Sequence, residues 1–372
     1  MYPQPTILEA GQDYAVLDGF FHDSAVKHFL LVCDSSFPFL AIHHYFDGLT
    51  ARTGVAATLF NDFQPNPLYE SVVKGVELFR SCGAEMIVAV GGGSAIDVAK
   101  CIKLYSNMSS GQCYLDQPIV PNDIPLLAVP TTAGTGSEAT RFAVIYHNDA
   151  KQSVTHPSII PTAVLMDPST LTTLPRSQKC STLLDALCHA IESFWSVNAT
   201  RQSHDFSHQA ISTIMTHWEA YLAGDDSVNA LMLQAAHTAG KAINITQTTA
   251  GHAMCYKLTS LYGIAHGHAA ALCVSRLWPW MLEHADRCVD ARGETYLRSV
   301  FSLIADAMGC QSPMQAVEKF HSVVNAMGFT PCLPKAGDFE VLAHSVNPVR
   351  LKNNPVALDA AAIDNLYHQI LS

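Results

Sequence analysis

Short apolar runs and amphipathic stretches alternate through the first half of the chain. His28–Cys33, Ala56–Phe60, Met86–Val90 and Leu126–Val129 have the length and apolar character of strands. Between them, Phe39 to Thr53, Leu68 to Cys82 and Ser94 to Tyr105 place apolar residues at helical spacing. Strands alternating with helices predict βαβ units and a mostly parallel sheet. After Asp167-Pro168 and Leu174-Pro175 the pattern changes, and from Ser177 onward long helical patterns dominate while strand-like runs nearly vanish. A boundary near Leu174–Arg176 follows. It predicts an α/β domain over 1–175 and an all-helical (all-α) domain over 176–372. The cleft between two such domains is a favoured place for a small-molecule site.

Composition narrows the functional classes. At 372 residues the chain exceeds one ordinary core, and its 49% hydrophobic and 14% charged content describes a compact protein rather than a disordered one. A formal net charge of −11 argues against nucleic-acid or anionic-membrane partners, while local Lys or Arg can still admit an anionic substrate. The beginning MYPQPTILEAG lacks a basic segment followed by an apolar one, so no signal peptide is expected, and no apolar run is long enough to span a bilayer. Eleven cysteines, Cys332 among them, are scattered without a CxxC pair, which points to reduced thiols and a cytoplasmic location.

The third strand empties through Gly91-Gly92-Gly93 into a helix beginning near Ser94. Glycines let the backbone approach a pyrophosphate, and a helix N-terminus offers N–H groups and a positive dipole end. Ser94-x-x-Asp97 also reads as a capping box, but three consecutive glycines exceed what a turn needs. The spacing is not GxGxxG. A second loop, PTTAGTGSEAT over 130–140, follows a buried strand and concentrates hydroxyls and glycines suited to phosphate and ribose oxygens; Thr135-x-x-Glu138 fits a capping box as well. Asp34 ends the first strand, where a carboxylate can accept from ribose hydroxyls and repel a 2′-phosphate, favouring NAD over NADP. A turn or helix-cap role accounts for it equally.

In the second half, Asp185 and His189 stand four apart on a helical pattern, on one face and within chelating reach. A surface contact of the same spacing is the plainer alternative. His252 and His266 would lie about 21 Å apart on one straight helix, too far to share an ion with bonds of about 2 Å. Gly263 offers a break, and a new helix starting near His266 would fold the second imidazole back. Three imidazoles and a carboxylate suit Fe²⁺ or Zn²⁺. As satisfied interior residues the same histidines would need no ion.

The ordered set GGGSAID, PTTAGTGSEAT, DALCHAIE and GHAMCYKLTSLYGIAHG resembles the iron-containing, or group III, alcohol dehydrogenase family over essentially the whole chain. That resemblance implies a Rossmann-like dinucleotide-binding domain, a helical metal-binding domain and a homodimer. It implies metal ligation by Asp185, His189, His252 and His266. It implies NAD(H) contacts from Asp34, Asn66 in QPNP, Gly92, Gly93, Ser94, Asp97, Thr131, Thr132, Thr135, Thr140 and Lys151. Many members carry a second His four residues after the third ligand, where this chain has Tyr256, whose hydroxyl would have to relay a proton or shape the pocket. HAMCYKLT and RLKNNPV (350–356) look like the phosphonoacetaldehyde reductase branch, and Lys257 and Arg141 are candidates to hold an anionic substrate head.

The expected reaction is reduction of a small anionic aldehyde by NADH beside a divalent metal. Sulfoacetaldehyde reductase and a neutral alcohol or polyol dehydrogenase are alternatives in the same class. A dehydroquinate synthase-like lyase is the alternative in another, distinguished by the absence of net NADH consumption.

Overall fold

The computed structural model describes residues 2–148, 150–328 and 333–371, so Cys332 lies outside the described residues. The chain divides into two compact units. The first holds Met1–Leu174 with Gly224–Leu233, and the second holds Pro175–Ala223 with Gln234–Ser372. A single cut at 175 therefore misses the Gly224–Leu233 excursion, which carries no strand-like pattern that would mark it.

In the first unit, strands β1 (Thr6–Glu9), β2 (His28–Cys33), β3 (Ala56–Phe60), β4 (Met86–Gly91), β5 (Leu126–Pro130) and β8 (Ala163–Met166) form one sheet in the order β1-β8-β5-β4-β2-β3. All its pairings are parallel. A parallel sheet needs crossover helices, which cover its faces, so central strands become apolar on both sides. Every residue of β4 is buried. Phe29, Leu31, Met86, Val88 and Val90 join Leu17, Phe21 and Phe46 in one core cluster. The alternate residues point to the opposite face, against which the Gly93–Tyr105 helix packs. The Phe39–Thr53 stretch is two short helices, Ala41–Asp47 and Leu49–Thr53, separated at Gly48.

Strand β8 (AVLM, buried throughout) and strand β6 (Phe142–His147, FAVIYH) do carry an apolar run but were passed over; β6 forms an antiparallel hairpin with β7 (Ala150–Thr155). Strand β1 is a four-residue, largely exposed edge, TILE, and β7 is largely polar. Neither has the apolar face that announces a central strand.

The second unit is helical, and among the described residues no strand follows Met166. The Arg176–Trp195 helix is buried at nearly every position from Lys179 onward. It packs against the Arg201–Ala223, His266–Glu283 and Glu294–Ala307 helices. Burial of a polar group costs free energy unless it is partnered, so the buried Asp185, His189 and Glu192 on this helix need a purpose. Among the described residues, no helix is long and apolar enough to cross a membrane, and the ten described cysteines are free thiols.

Candidate metal centre and nucleotide cradle

Strand β2 pairs with β3 on one side and β4 on the other, so the chain reverses direction across the sheet between these strands. In open α/β sheets ligands bind beyond the carboxyl ends of strands at such a reversal. Asp34 follows β2 and the glycine loop follows β4, and both lie at this place. The Asp34 carboxylate accepts from Ser36 N at 2.9 Å and Ser36 Oγ at 2.5 Å, with Gly92 N 3.4 Å from its other oxygen. It thus serves as a turn residue and reaches the glycine loop as well. The helix begins at Gly93, and a Cβ there would stand 2.8 Å from Thr135 Cγ2. Glycine is what lets the two loops meet.

Asp97 and Thr140 hold the loops to one another. Asp97 accepts from Ser137 Oγ at 2.5 Å and Val144 N at 2.8 Å. Sequence reasoning did not single out Lys100, which is fully buried and donates to Thr140 O, Phe142 O and the carbonyl and hydroxyl of Ser137. Burial pushes its pKa down to about 8 against the opposing charges of Asp97 and Glu138. A lysine inside the apolar run of 98–104 was the available signal. Thr131 is buried, while Thr132, Thr135, Gly92, Gly93 and Ser94 are partly accessible. Asn66 is exposed at φ 59°, and Lys151 sits on β7 opposite Tyr146.

The second unit brings the four candidate ligands together. Asp185 and His189 lie one turn apart on the Arg176–Trp195 helix, which carries Glu192 a further turn along the same face. The Ala250–Tyr262 helix ends on Gly263 at φ 69°, and a new helix starts at His266. Gly267 sits so close to the ligand helix that a Cβ would fall 1.8 Å from Ser181 O. The break and this contact leave the His252 and His266 rings 5.5 Å apart. Asp185 Oδ1 is 3.4 Å from His252 Nε2, 3.7 Å from His189 Nε2 and 3.9 Å from His266 Nε2. In a tetrahedral site with bonds of about 2.1 Å, ligand atoms stand about 3.4 Å apart. Ligand atoms of Asp185, His189 and His252 all lie within 4.8 Å of one another, a grouping that could hold a metal ion, while His266 Nε2 comes within 3.9 Å of Asp185 but stands outside that grouping. Asp185, His189 and His252 are buried, whereas the His266 side chain is 39% exposed, so access is from the His266 side.

Glu192 was the ligand-side residue that sequence reasoning passed over. Its Oε1 accepts from Thr249 N at 3.1 Å, Thr249 Oγ1 at 2.6 Å and His252 N at 3.2 Å, and Oε2 meets His252 Nδ1. Burial would raise its pKa, but the adjoining His252 imidazole lowers it, so the carboxylate is ionised. An ionised carboxylate only accepts, which puts a proton on Nδ1 and leaves Nε2, turned towards Asp185, as the nitrogen that can ligate once its own proton is displaced. Its position seven residues after Asp185 was the signal. Burial likewise works against Asp185, but His189, His252 and His266 hold it well below the usual carboxylate range. On His252, burial is outweighed by Glu192 and Asp185, which raise it to about 9. A metal arriving here displaces a proton.

Tyr256 follows His252 by one turn, and its ring lies parallel to that of His266 at 5.8 Å. Lys257 is five residues from His252, about 140° around the helix, which removes it from the ligand face. Arg141 is buried in the first unit with its guanidinium 4.1 Å over Tyr2 and 4.5 Å over Phe142. It packs as a cation between aromatic rings.

Residues 5–168 match the family described as iron-containing alcohol dehydrogenase, and residues 179–371 match the C-terminal region of the Fe-containing alcohol dehydrogenase family. The chain belongs to the iron-containing alcohol dehydrogenase family. Like the homologues named as dehydrogenases and reductases, this alcohol dehydrogenase family member is an NAD-dependent oxidoreductase working between aldehydes and alcohols, which sets aside the lyase alternative. It is 31% identical to phosphonoacetaldehyde reductase of Streptomyces viridochromogenes, over 80% of this chain and 79% of that protein. It is 28% identical to lactaldehyde reductase of Escherichia coli, over 85% and 84%. The structure of sulfoacetaldehyde reductase from Bifidobacterium kashiwanohense in complex with NAD+ matches with a TM-score of 0.86 at 24% identity, over 100% of this chain and 98% of that one. At that identity the likeness concerns the fold.

Proposed function

We propose that this enzyme reduces a small anionic aldehyde with NADH, phosphonoacetaldehyde to 2-hydroxyethylphosphonate, at a site held by Asp185, His189, His252 and His266. The observation that carries the proposal is the single carboxylate oxygen ringed by three imidazole nitrogens at 3.4 to 3.9 Å. The likeness to a phosphonoacetaldehyde reductase supports the choice of substrate. When bound, a divalent ion, Fe²⁺ or Zn²⁺, supplies Lewis-acid polarisation of a carbonyl, and NADH supplies the hydride.

The chain's own residues do the rest. Glu192 fixes the His252 tautomer that exposes Nε2. Burial pushes the Tyr256 hydroxyl far above its ordinary pKa, so it stays protonated, and we assign to it the proton delivered to the product oxygen. In the other unit, Gly92, Gly93 and Ser94 present the start of the Gly93–Tyr105 helix to the cofactor pyrophosphate. The Thr131, Thr132 and Thr135 hydroxyls line the facing loop, and Asn66 and Lys151 complete the proposed set. Asp97 and Thr140 hold the loop in place. Asp34 is assigned to the adenosine ribose. A cytoplasmic homodimer goes with this reading, and sedimentation velocity reads its assembly.

The test is NADH oxidation by enzyme of measured metal content against phosphonoacetaldehyde, sulfoacetaldehyde and propanal. The expected order of kcat/KM puts phosphonoacetaldehyde first. Equal or better turnover of propanal overturns the substrate assignment; a preference for sulfoacetaldehyde transfers it to the sulfonate.

A further inference from the structure

Apart from Asp185, His189 and His252, one other group of three metal-binding donors occurs among the described residues. It is His43, His44 and Asp47, whose ligand atoms all lie within 4.8 Å of one another. The three sit in the first unit, on the Ala41–Asp47 helix. Along a helix, residue i+1 points about 100° away from residue i, and residue i+4 returns to about 40°, one turn further on. Asp47 therefore stands between the directions of His43 and His44, one turn beyond both. A single helix can aim all three donors at one place.

Packing holds that face outward. Ile42, Tyr45 and Phe46 enter the same core cluster as Phe29 and Leu31, which leaves His44 and Asp47 exposed and His43 partly so. The His43 ring meets Phe37 edge-on at 4.9 Å, with the ring planes 75° apart, and this contact limits its rotation. Its Nδ1 lies 3.3 Å from Asp47 Oδ2. In a tetrahedral site with bonds of about 2.1 Å the ligand atoms stand about 3.4 Å apart, so this pair is already spaced for an ion. The His44 ring is 5.8 Å from that of His43, and as an exposed side chain it turns readily to complete the set.

Elsewhere on the surface, His22 and Asp23, His147 and Glu70, His208 and Asp306, and His368 and Asp364 each bring one imidazole to one carboxylate. The second imidazole sets the Ala41–Asp47 helix apart. Two nitrogens and one oxygen favour Zn²⁺ and Cu²⁺ over Fe²⁺, and over the hard cations Mg²⁺ and Ca²⁺. We infer that His43, His44 and Asp47 form a second metal site, an accessible one that takes Zn²⁺ or Cu²⁺ with water filling the remaining coordination. The ion takes the place of the proton between His43 and Asp47. The site belongs to a different unit from Asp185, and it does not depend on which aldehyde the enzyme reduces.

The test titrates enzyme carrying its resident metal with Zn²⁺ by isothermal calorimetry, beside His43→Gln/His44→Gln and Asp47→Asn. The parent should take up one equivalent more than the double variant, and Asp47→Asn should bind that equivalent more weakly. Diethyl pyrocarbonate modification read by peptide mass spectrometry then locates the ion. Zn²⁺ should protect His43 and His44 while His22, whose side chain is 88% exposed, reacts as before. Equal Zn²⁺ uptake by the parent and the double variant, or modification of His43 and His44 that Zn²⁺ leaves unchanged, overturns the site. Should the double variant fail to fold, as seen by circular dichroism, His44→Gln and Asp47→Asn, both at exposed positions, decide it by the same comparison.

Discussion

Replacing Glu192 by Gln keeps the shape of the side chain and removes its charge, so it isolates what the carboxylate does for His252. In the native arrangement Glu192 is fully buried and receives four donors, two from Thr249 and two from His252. The amide retains one oxygen and can still serve the Thr249 pair and His252 N. Its NH₂ then faces His252 Nδ1, donor against donor, unless the ring proton moves to Nε2. That move abolishes the lone pair aimed at Asp185. Either outcome weakens the site by about 10- to 100-fold in metal affinity, the usual effect of removing a carboxylate behind a ligating imidazole. The assay is competition with a chromophoric chelator on metal-stripped protein, with circular dichroism showing that both proteins are folded. Glu192→Asp, which restores charge at a shorter reach, should recover part of the affinity. A Glu192→Gln protein that binds Fe²⁺ and Zn²⁺ as tightly as the parent refutes the reasoning.

Other consequences are equally open to measurement. Gly267→Ala places a methyl where Ser181 O already stands at 1.8 Å, and backbone cannot yield as a side-chain tip does. We expect a loss of about 3 kcal/mol in urea unfolding together with weaker metal binding; a neutral substitution would mean that the two helices are not in contact. Gly93→Ala meets Thr135 at 2.8 Å and should raise KM for NADH while metal content is retained. Unchanged KM would remove the glycine loop from the nucleotide cradle. Lys100 releases its proton at about 8 in the folded chain and at its ordinary value of 10.5 when unfolded. Between those pH values the unfolded state binds more protons, so the folded state gains stability from this group as pH rises. The stability difference between the parent and Lys100→Met should thus shift towards the parent from pH 8 to 10.5, by up to about 3 kcal/mol. A flat difference across that window would show that the buried ammonium keeps its proton.

The alternation of apolar runs in the first half, and its replacement by helical periodicity near residue 175, were legible because they follow from local rules. A strand covered on both faces is apolar nearly throughout, as β2 and β4 are, and a helix shows itself by apolar residues recurring at a 3.6-residue period. The break at Gly263 was readable for a similar reason, since only the local backbone is involved. Strands β1 and β7 escaped because edge and hairpin strands keep a polar side and carry no such mark.

The candidate site was readable in part. Spacing placed Asp185 and His189 on one face, and extended by one turn it reaches Glu192. No spacing rule places His266 against Asp185: that depends on Gly267 allowing one helix to touch another, although the two segments are far apart in the chain. The same holds for the burial of Arg141 between aromatic rings. Sequence by itself determined which residue types were present and which local faces they shared. Tertiary structure decided which of those faces meet, because contact between distant segments is set by packing and close approach rather than by periodicity.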